Sequence, residues 1–307
     1  MKNIVRIQSV TELHTAAGLD APKHPLITMI EAQNLRNISE HDSSKYVGVK
    51  INSDMYSIMF KDDIEGSVGY GRTTYDFQNG TMVFLAPGQV MEGHKYQVSD
   101  NSKAWFLLFH PDLIRKSELE KQMNTYSFFD YDSNEALHLS ADEQTYMSTV
   151  AMQIKKEYSQ NLDSHSHRLI ISNLELLLNN CLRFYDRQFY TRTSFNKDFV
   201  SSFDRHLKHY IESEMTLQFG VPHVSYFGDK LNMSPNYLSD MLKKETGMSA
   251  KGHINKVLID KTKSALLNSD EPVSQIAYSL GFEHPQSLTR LFKAKTGVSP
   301  NEYRNVN

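Results

Sequence analysis

Hydrophobic positions along this chain follow two different periods, and the change from one to the other divides the sequence. Between Ser44 and Pro111, short runs of β-branched and aromatic residues alternate with Gly, Asn-Gly and Pro-Gly, a pattern typical of strands joined by tight turns. The predicted strands are Tyr46–Lys50, Tyr56–Phe60, Gly80–Leu85 and Ala104–Phe109. Because no helical pattern lies between them, they predict a β-sandwich or a small β-barrel.

From Ser140 to Tyr190 the period becomes helical. Ser140 and Glu143 have the spacing of a capping box, in which each side chain bonds the other residue's backbone N–H, so a helix is predicted to begin there. A second helix is predicted from about Ser164. Its apolar face carries Leu169, Ile170, Leu174, Leu177, Leu178, Cys181, Leu182 and Tyr185. This face either packs on its own domain or joins two copies of the chain.

The last third of the chain contains one short pattern twice, at Val224–Ser249 and at Val273–Ser299. In each copy an apolar helical face ends at a residue that tolerates positive φ, Asn232 in the first and Gly281 in the second. A proline in the first turn then marks a new helix. Each copy therefore predicts two helices joined by a tight turn, the helix-turn-helix arrangement.

The second helix of each copy has a chemically particular exposed face. Short amides and hydroxyls near its N-terminus suit base edges, and cations further along suit phosphates. An ordinary surface helix would favour Glu/Lys pairs instead. The predicted DNA-binding residues are Ser234, Asn236, Tyr237, Ser239, Asp240, Lys243 and Lys244 in the first copy, and Pro285, Gln286, Ser287, Thr289, Arg290 and Lys293 in the second. The alternative is an all-helical domain whose repeat serves packing only.

Two further helices are predicted around the repeats. One runs from about Asp198 to Glu212, after a polar stretch at 191–198 that is interpreted as a linker. The other, Gly252–Asn268, connects the two copies and spans about 25 Å. Two recognition helices roughly 34 Å apart can enter successive major grooves on one face of DNA. One chain would therefore contact two adjacent half-sites.

These motifs resemble the DNA-binding domain of the AraC family of bacterial transcription regulators. The matching positions are Ile276-Ala277, Leu280-Gly281-Phe282, Arg290-Leu291-Phe292-Lys293, Gly297, Ser299-Pro300 and Tyr303-Arg304. The resemblance is strong from Phe199 to Arg304. It implies a sequence-specific regulator, an activator in most relatives, whose partners are double-stranded DNA and RNA polymerase. By the same analogy, helices 140–190 favour a homodimer.

The resemblance also implies an α+β protein with two domains. Residues 1–190 would form a cupin-like jelly-roll barrel (about 1–135) with a helical pair (about 140–190), for effector sensing or dimerisation. After the linker at 191–198, residues 199–307 would form the DNA-binding domain. Gly80–Gly88 resembles the second conserved stretch of cupin barrels.

A metal-binding cupin needs a His-x-His pair and a Glu on an earlier strand; the strands before Gly80 contain no such pair, and His94 and His110 are isolated. We therefore expect no metal and no other cofactor, and the alternative of a metal-dependent cupin enzyme with a helical appendage is disfavoured. The barrel is also a candidate site for a small-molecule effector. Its candidate pocket residues are Tyr56, Phe60, Tyr75, Phe84 and Trp105, which could equally be core.

Composition changes this picture little. The 307 residues carry a net charge of −3, against the usual basic balance of a DNA-binding protein. The charge is uneven: residues 196–307 hold 14 Lys+Arg against 12 Asp+Glu (+2), and residues 1–195 hold 19 against 24 (−5). The N-terminus lacks a signal-peptide pattern, and Cys181 is the single cysteine, so a reducing cytoplasm is the expected location.

Overall fold

A computed structural model describes residues 4–38, 47–70, 73–76, 80–92, 96–132, 135–191 and 193–306. The fold is of the mixed α+β class, with strands in the first half and helices in the last third. The chain divides into two compact units, Met1–Gln188 and Phe189–Asn307. Within the described ranges, no helix is both long and apolar enough to cross a membrane.

The strands of the first unit pair into two sheets. The first sheet has the order β1 (Ile4–Ile7), β3 (Lys50–Ser53), β8 (Val90–Glu92), β5 (Ile64–Tyr70) and β6 (Thr73–Asp76), with β9 (Tyr96–Val98) also paired to β5. The second has the order β11 (Leu137–His138), β7 (Thr81–Leu85), β4 (Tyr56–Lys61), β10 (Trp105–Phe109) and β2 (Ile27–Glu31). The β1–β3 pair is parallel, and the other pairs are antiparallel.

The two sheets do not close into a barrel. Strand β4 of the second sheet leads directly into β5 of the first through Asp62 and Asp63, and Asp63 has a positive φ of 50°. Such a corner lets the chain change sheets without a shared strand. Among the described residues no strand pairing joins the two sheets, so the prediction of a closed barrel was wrong.

Three of the four predicted strands lie at the predicted positions, as β4, β7 and β10. The fourth was wrong in position, because Gly48 has φ +74° within a turn and β3 begins only at Lys50. Tyr46, the predicted first residue of that strand, lies outside the described residues. Strand β5 was missed because its glycines, Gly66 and Gly69, hide the alternation of polar and apolar residues.

The α-helices of the first unit pack on both faces of the second sheet. They are α1 (Val10–Ala16), α2 (32–38), α3 (Glu118–Gln122), α4 (Ala141–Ser159) and α5 (Ser166–Thr191). The predicted capping box is present at the start of α4, with Ser140 as the N-cap. The Trp105 indole N–H donates to Ser148 Oγ (3.1 Å), and the Met29 N–H donates to Tyr158 Oη (2.9 Å). Helix α4 is therefore bonded to strands β10 and β2.

The aromatic residues predicted to line a barrel cavity lie on the face of the second sheet that α4 and α5 cover. Phe84 packs on Phe128 with ring centroids 4.4 Å apart, and Phe60 packs on Trp105 at 5.7 Å. Tyr56 stacks on Phe109 at 5.1 Å. The opposite face of the same sheet contributes Ile30 and Leu108 to a different cluster, formed with Ile7, Val10 and Met55. Tyr56, Phe60, Phe84 and Trp105 therefore pack in the core beneath the helices, one of the two alternatives that the sequence left open; the Tyr75 side chain lies outside the described residues.

The apolar face of α5 also belongs to the core. Leu174 and Leu178 have 0% of their surface exposed within the single chain, as do Ile170, Leu177 and Cys181. Tyr185 packs on Phe84 and stacks on Phe128. These residues cover the second sheet, so the interpretation of this face as a seam between subunits was wrong for them. Two leucines of the predicted face differ, because Leu169 is 47% exposed and Leu182 only half-buried.

The second unit is helical. Its helices are α6 (Thr193–Glu212), α7 (Met215–Phe219), α8 (Val224–Leu231), α9 (Pro235–Thr246), α10 (Ala250–Asn268), α11 (Val273–Ser279), α12 (Pro285–Thr296) and α13 (Pro300–Val306). The predicted connecting helix is present and begins two residues early, as α10. Helix α6 starts five residues before the predicted Asp198. The stretch at 191–198 contains no Gly or Pro to interrupt a helix, and its residues from Thr193 onward belong to α6; its role as a linker stays a prediction.

Candidate DNA-binding interface

The first helix-turn-helix consists of α8 and α9. Helix α8 ends at Asn232, which adopts the left-handed conformation with φ 54° and ψ 46°. Ser234 then caps α9, its hydroxyl accepting the Tyr237 N–H at 3.2 Å. A side chain at Gly228 would place its Cβ 2.6 Å from the Met233 carbonyl oxygen. The turn is thus tight enough to require glycine on the helix before it.

The second helix-turn-helix consists of α11 and α12. Its reversal occurs at Gly281, which has φ +85°. Gly281 lies against the end of α7: a Cβ there would stand 2.5 Å from the Gly220 carbonyl carbon and 2.7 Å from the Thr216 carbonyl oxygen. The Thr216 hydroxyl also donates to the Ser279 carbonyl at 2.9 Å. Helix α7, which the sequence did not predict, therefore supports the second turn.

Most residues predicted to contact DNA are accessible at the surface of α9 and α12. Among them, Asn236, Lys243, Lys244, Gln286, Ser287, Arg290 and Lys293 are exposed, and Ser239, Asp240, Pro285 and Thr289 are half-buried. The Thr289 hydroxyl donates to the Pro285 carbonyl of its own helix at 3.2 Å, which leaves the oxygen as an acceptor.

Two of the predicted residues do not belong to the exposed face. Ser234 is buried, and its hydroxyl is occupied in capping α9. Tyr237 is buried and packs against Phe189, with ring centroids 5.0 Å apart. Capping and core packing therefore engage both side chains, and their contact with DNA stays a prediction. Burial of the Tyr237 ring is consistent with its place one position before Leu238 on the inner side of α9.

The helix-turn-helix motifs are similar to those of known proteins. A family model described as "Helix-turn-helix domain" matches residues 227–305. The multiple antibiotic resistance protein MarA of Escherichia coli is 34% identical over 98 residues, which cover 32% of this chain and 75% of MarA. This chain belongs to the AraC family.

Two further relatives match this AraC-family chain. An uncharacterised helix-turn-helix regulator of Bacillus subtilis, YtdP, is 34% identical over 98 residues, 32% of this chain and 12% of YtdP. The transcriptional activator RhaS of Escherichia fergusonii is 33% identical over 76 residues, 25% of this chain and 27% of RhaS. The match thus spans less than a third of either protein.

The connecting helix of the AraC-type module is fixed at its C-terminus by Arg304. The Arg304 guanidinium donates to the Leu266 carbonyl at 3.2 Å and to the Glu271 carbonyl at 2.7 Å. From the sequence alone, Arg304 would count among the cations available to DNA. The structure gives it a different role, because it ties α13 to the end of α10 and to the loop before α11. At about 1.5 Å per residue, the 19 residues of α10 span roughly 28 Å.

His253 holds the end of α9 in the first motif. Its Nε2 shares a 2.7 Å hydrogen bond with the Thr246 hydroxyl at the end of α9, and its Nδ1 lies 3.8 Å from the Asp204 carboxylate of α6. Phe203 packs edge-on against the imidazole at 5.8 Å. Burial lowers the pKa of His253; nearby Asp204 raises it and Lys256 lowers it further. The neutral imidazole is therefore the form that the folded protein favours.

Replacing Gly281 by Ala should destabilise the second unit. The left-handed conformation costs a non-glycine residue about 1 kcal/mol, and the contacts with Gly220 and Thr216 should add about 1–3 kcal/mol. Gly297→Ala is the matched control, since Gly297 has φ +84° but a Cβ added there would meet no atom within 4 Å. Urea unfolding followed by far-UV circular dichroism should show the larger loss for Gly281→Ala. Equal losses would mean that the close approach to α7 is unimportant.

Acidification should weaken the folded state partly through His253. Its pKa is lowered on folding, so below the ordinary value of about 6.5 the unfolded chain binds the proton more readily. This contribution to stability is complete above that value and is lost as the pH falls. His24 and His206 shift in the same direction, so His253→Gln is compared with the unsubstituted protein at pH 7.5 and 5.5. The variant should lose less stability between the two pH values; an equal loss would exclude the His253 contribution.

Proposed function

We propose that this protein is a sequence-specific DNA-binding transcription regulator that acts as an activator. The duplicated helix-turn-helix carries the proposal, because α9 and α12 both present polar and cationic side chains outward while their apolar faces are buried. Membership of the AraC family and the similarity to the activator RhaS support it. The direct partner is double-stranded DNA; an activator also has RNA polymerase as a partner, and access to DNA would place the protein in the cytoplasm.

The two recognition helices would contribute unequally. Arg290 and Lys293 of α12 are exposed, and an Arg can bond both acceptor atoms of a guanine edge. The position of α9 that corresponds to Arg290 is Asp240, an offset of 50. A carboxylate there repels phosphate and can accept only from an amino group such as that of cytosine. The cations Lys243 and Lys244 follow it at the end of α9, where they would contact phosphates.

Effector sensing and dimerisation are proposed for the first unit, as a cupin-like domain. A two-sheet arrangement with a helical pair is consistent with a jelly-roll sensor, and a chain of two compact units fits a regulator that responds through domain arrangement. Among the described residues, no group of three His, Cys, Asp or Glu side chains is placed to hold a metal ion; His94 lies outside them. His110 caps a short turn, its ring accepting the Asp112 N–H.

The homodimer is proposed to form through a stripe on the outer side of α5. Leu169 and Leu176, two turns apart, are 47% and 41% exposed. The side-chain amides of Asn173 and Asn180, on the same side of the helix, donate to the carbonyls of Leu169 and Leu176 at 2.9 and 2.7 Å. Residues at this spacing form the contact surface when two helices pack side by side. This assignment replaces the buried face of α5 but keeps the dimer within helices 140–190.

Arg290→Ala should reduce specific DNA binding by about 1–3 kcal/mol and relax the preference at one or two base positions. The control is Arg205→Ala, which removes an exposed arginine of α6 whose guanidinium bonds Ser202. Binding of the full chain to a selected site and to single-base variants would be measured by fluorescence anisotropy. A loss that is equal for every sequence would mean that Arg290 contacts phosphate only, and no loss would exclude α12 as a reader of bases.

The double substitution Leu169→Glu/Leu176→Glu should give a folded monomer. Since a dimer gains affinity from two linked DNA contacts, its DNA affinity should fall by about ten-fold or more. Leu162→Glu is the matched control, because Leu162 is 51% exposed but precedes α5. Leu174→Glu, by contrast, should unfold the first unit, since it places a charge in the core. Sedimentation that shows a dimer for the double variant would refute the α5 stripe as the interface.

A further inference from the structure

A cleft of about 530 Å³ lies in the first unit, between helix α4 and the neighbouring ends of β4 and β10. This volume is in the range of sites that hold small molecules. Phe60 and Asp62 line it at the end of β4, and Lys103 lines it just before β10. The α4 side is formed by residues at successive turns, including Ser148, Met152 and Lys156.

The walls of the cleft are fixed by contacts behind them. The Trp105 indole, itself buried, donates to Ser148 Oγ at 3.1 Å and so joins β10 to α4. The Trp105 ring also packs on Phe60. On the other side, the Asp62 carboxylate accepts the Lys103 N–H at 2.8 Å, which holds the loop before β10 against the end of β4. The cleft is therefore preformed, which reduces the ordering cost of binding a ligand.

The charge of the cleft is unbalanced. Among the residues that the structure describes, neither the Lys103 nor the Lys156 ammonium takes part in an ion pair. Asp62 is the one acid among the lining residues, so the lining carries one net positive charge, two cations against one carboxylate. Lys155, next to Lys156 on α4, instead pairs with Glu31. The cleft thus matches a ligand with a single negative charge.

The remaining lining groups indicate the rest of the ligand. The Thr145 and Thr149 hydroxyls donate to carbonyls of α4 at 3.0 and 2.8 Å, so toward the cleft they can only accept hydrogen bonds. Met152 is 44% exposed, and the Phe60 ring, which is 2% exposed, also lines the cleft. An apolar body would contact Met152 and the small exposed part of Phe60.

We infer that this cleft binds a small organic monocarboxylate, with the carboxylate near Lys103 and Lys156 and the apolar body against Phe60 and Met152. This inference specifies the class of ligand for the effector sensing proposed above, and it depends on that proposed function. The cleft shares Phe60 with the effector pocket predicted for the barrel, but it lies on the α4 side of the second sheet. Trp105, the only tryptophan of the chain, bonds directly to the lining residue Ser148. Its fluorescence should therefore report occupancy of the cleft.

The test titrates the full chain, without DNA, with benzoate, and in parallel with benzyl alcohol, which has the same ring but no charge. Benzoate should change the Trp105 emission saturably, and calorimetry should give the same dissociation constant. The double variant Lys103→Gln/Lys156→Gln should bind benzoate at least about ten-fold more weakly, the loss expected when charge-assisted hydrogen bonds are removed. Benzyl alcohol should also bind the unsubstituted protein about ten-fold more weakly than benzoate does, for the same reason.

Lys121→Gln is the control, since Lys121 is an exposed lysine of the first unit, paired with Glu118 and outside the cleft lining. It should bind benzoate as the unsubstituted protein does. Both replaced lysines of the double variant are exposed, and unchanged far-UV circular dichroism would establish that it is folded. Benzoate binding that is absent in the unsubstituted protein, or equal in the double variant, would overturn the inference. Since no DNA is present, that failure would leave the DNA-binding function untouched.

Discussion

The geometry of the DNA-binding unit depends on one backbone constraint, a reversal within a single left-handed residue in each motif. Asn232 and Gly281 supply it, and each determines the direction in which the following recognition helix leaves the turn. The close contact with a neighbouring backbone occurs at a different position in each motif. In the second motif Gly281 itself lies against Gly220, whereas in the first the close approach falls one turn earlier, at Gly228. Asparagine can therefore replace glycine in the first turn but not in the second.

The sequence predicted the features whose signals are local. The helix start at Ser140 follows from a hydroxyl that can cap the helix, that of α9 follows from a proline in the first turn, and the left-handed positions follow from residue type. The duplicated motif was therefore visible in the sequence. Helix α7 was missed because its five residues carry no period, and its role arises only from contact with Gly281. No sequence pattern indicated the role of Arg304 either, because the groups that it bonds are backbone carbonyls more than thirty positions away.

The errors in the first unit have a common cause. Alternation along β4 assigns Tyr56 and Phe60 to the same face, but it cannot tell whether that face meets the other sheet or a helix. Likewise, the apolar side of α5 has the same period whether it covers a sheet or a second subunit. Only the register of β4 with β10 and the bond from Trp105 to Ser148 resolve the question, and both join residues distant in sequence. The same contacts create the cleft beside α4, which no local pattern indicates.

The two motifs have the same backbone arrangement, but they differ in the side chains at several equivalent positions. Thr246 and Thr296 occupy equivalent positions and make equivalent bonds to Leu242 and Phe292. Fifty residues after His253, which contacts Thr246, stands Tyr303, which packs on Phe292 instead. The support of the first recognition helix is therefore a histidine whose pKa is lowered by burial, and that of the second is an aromatic ring packed on Phe292. Since α9 also carries Asp240 where α12 carries Arg290, we propose that the second motif anchors the protein on DNA and that the first adjusts its affinity.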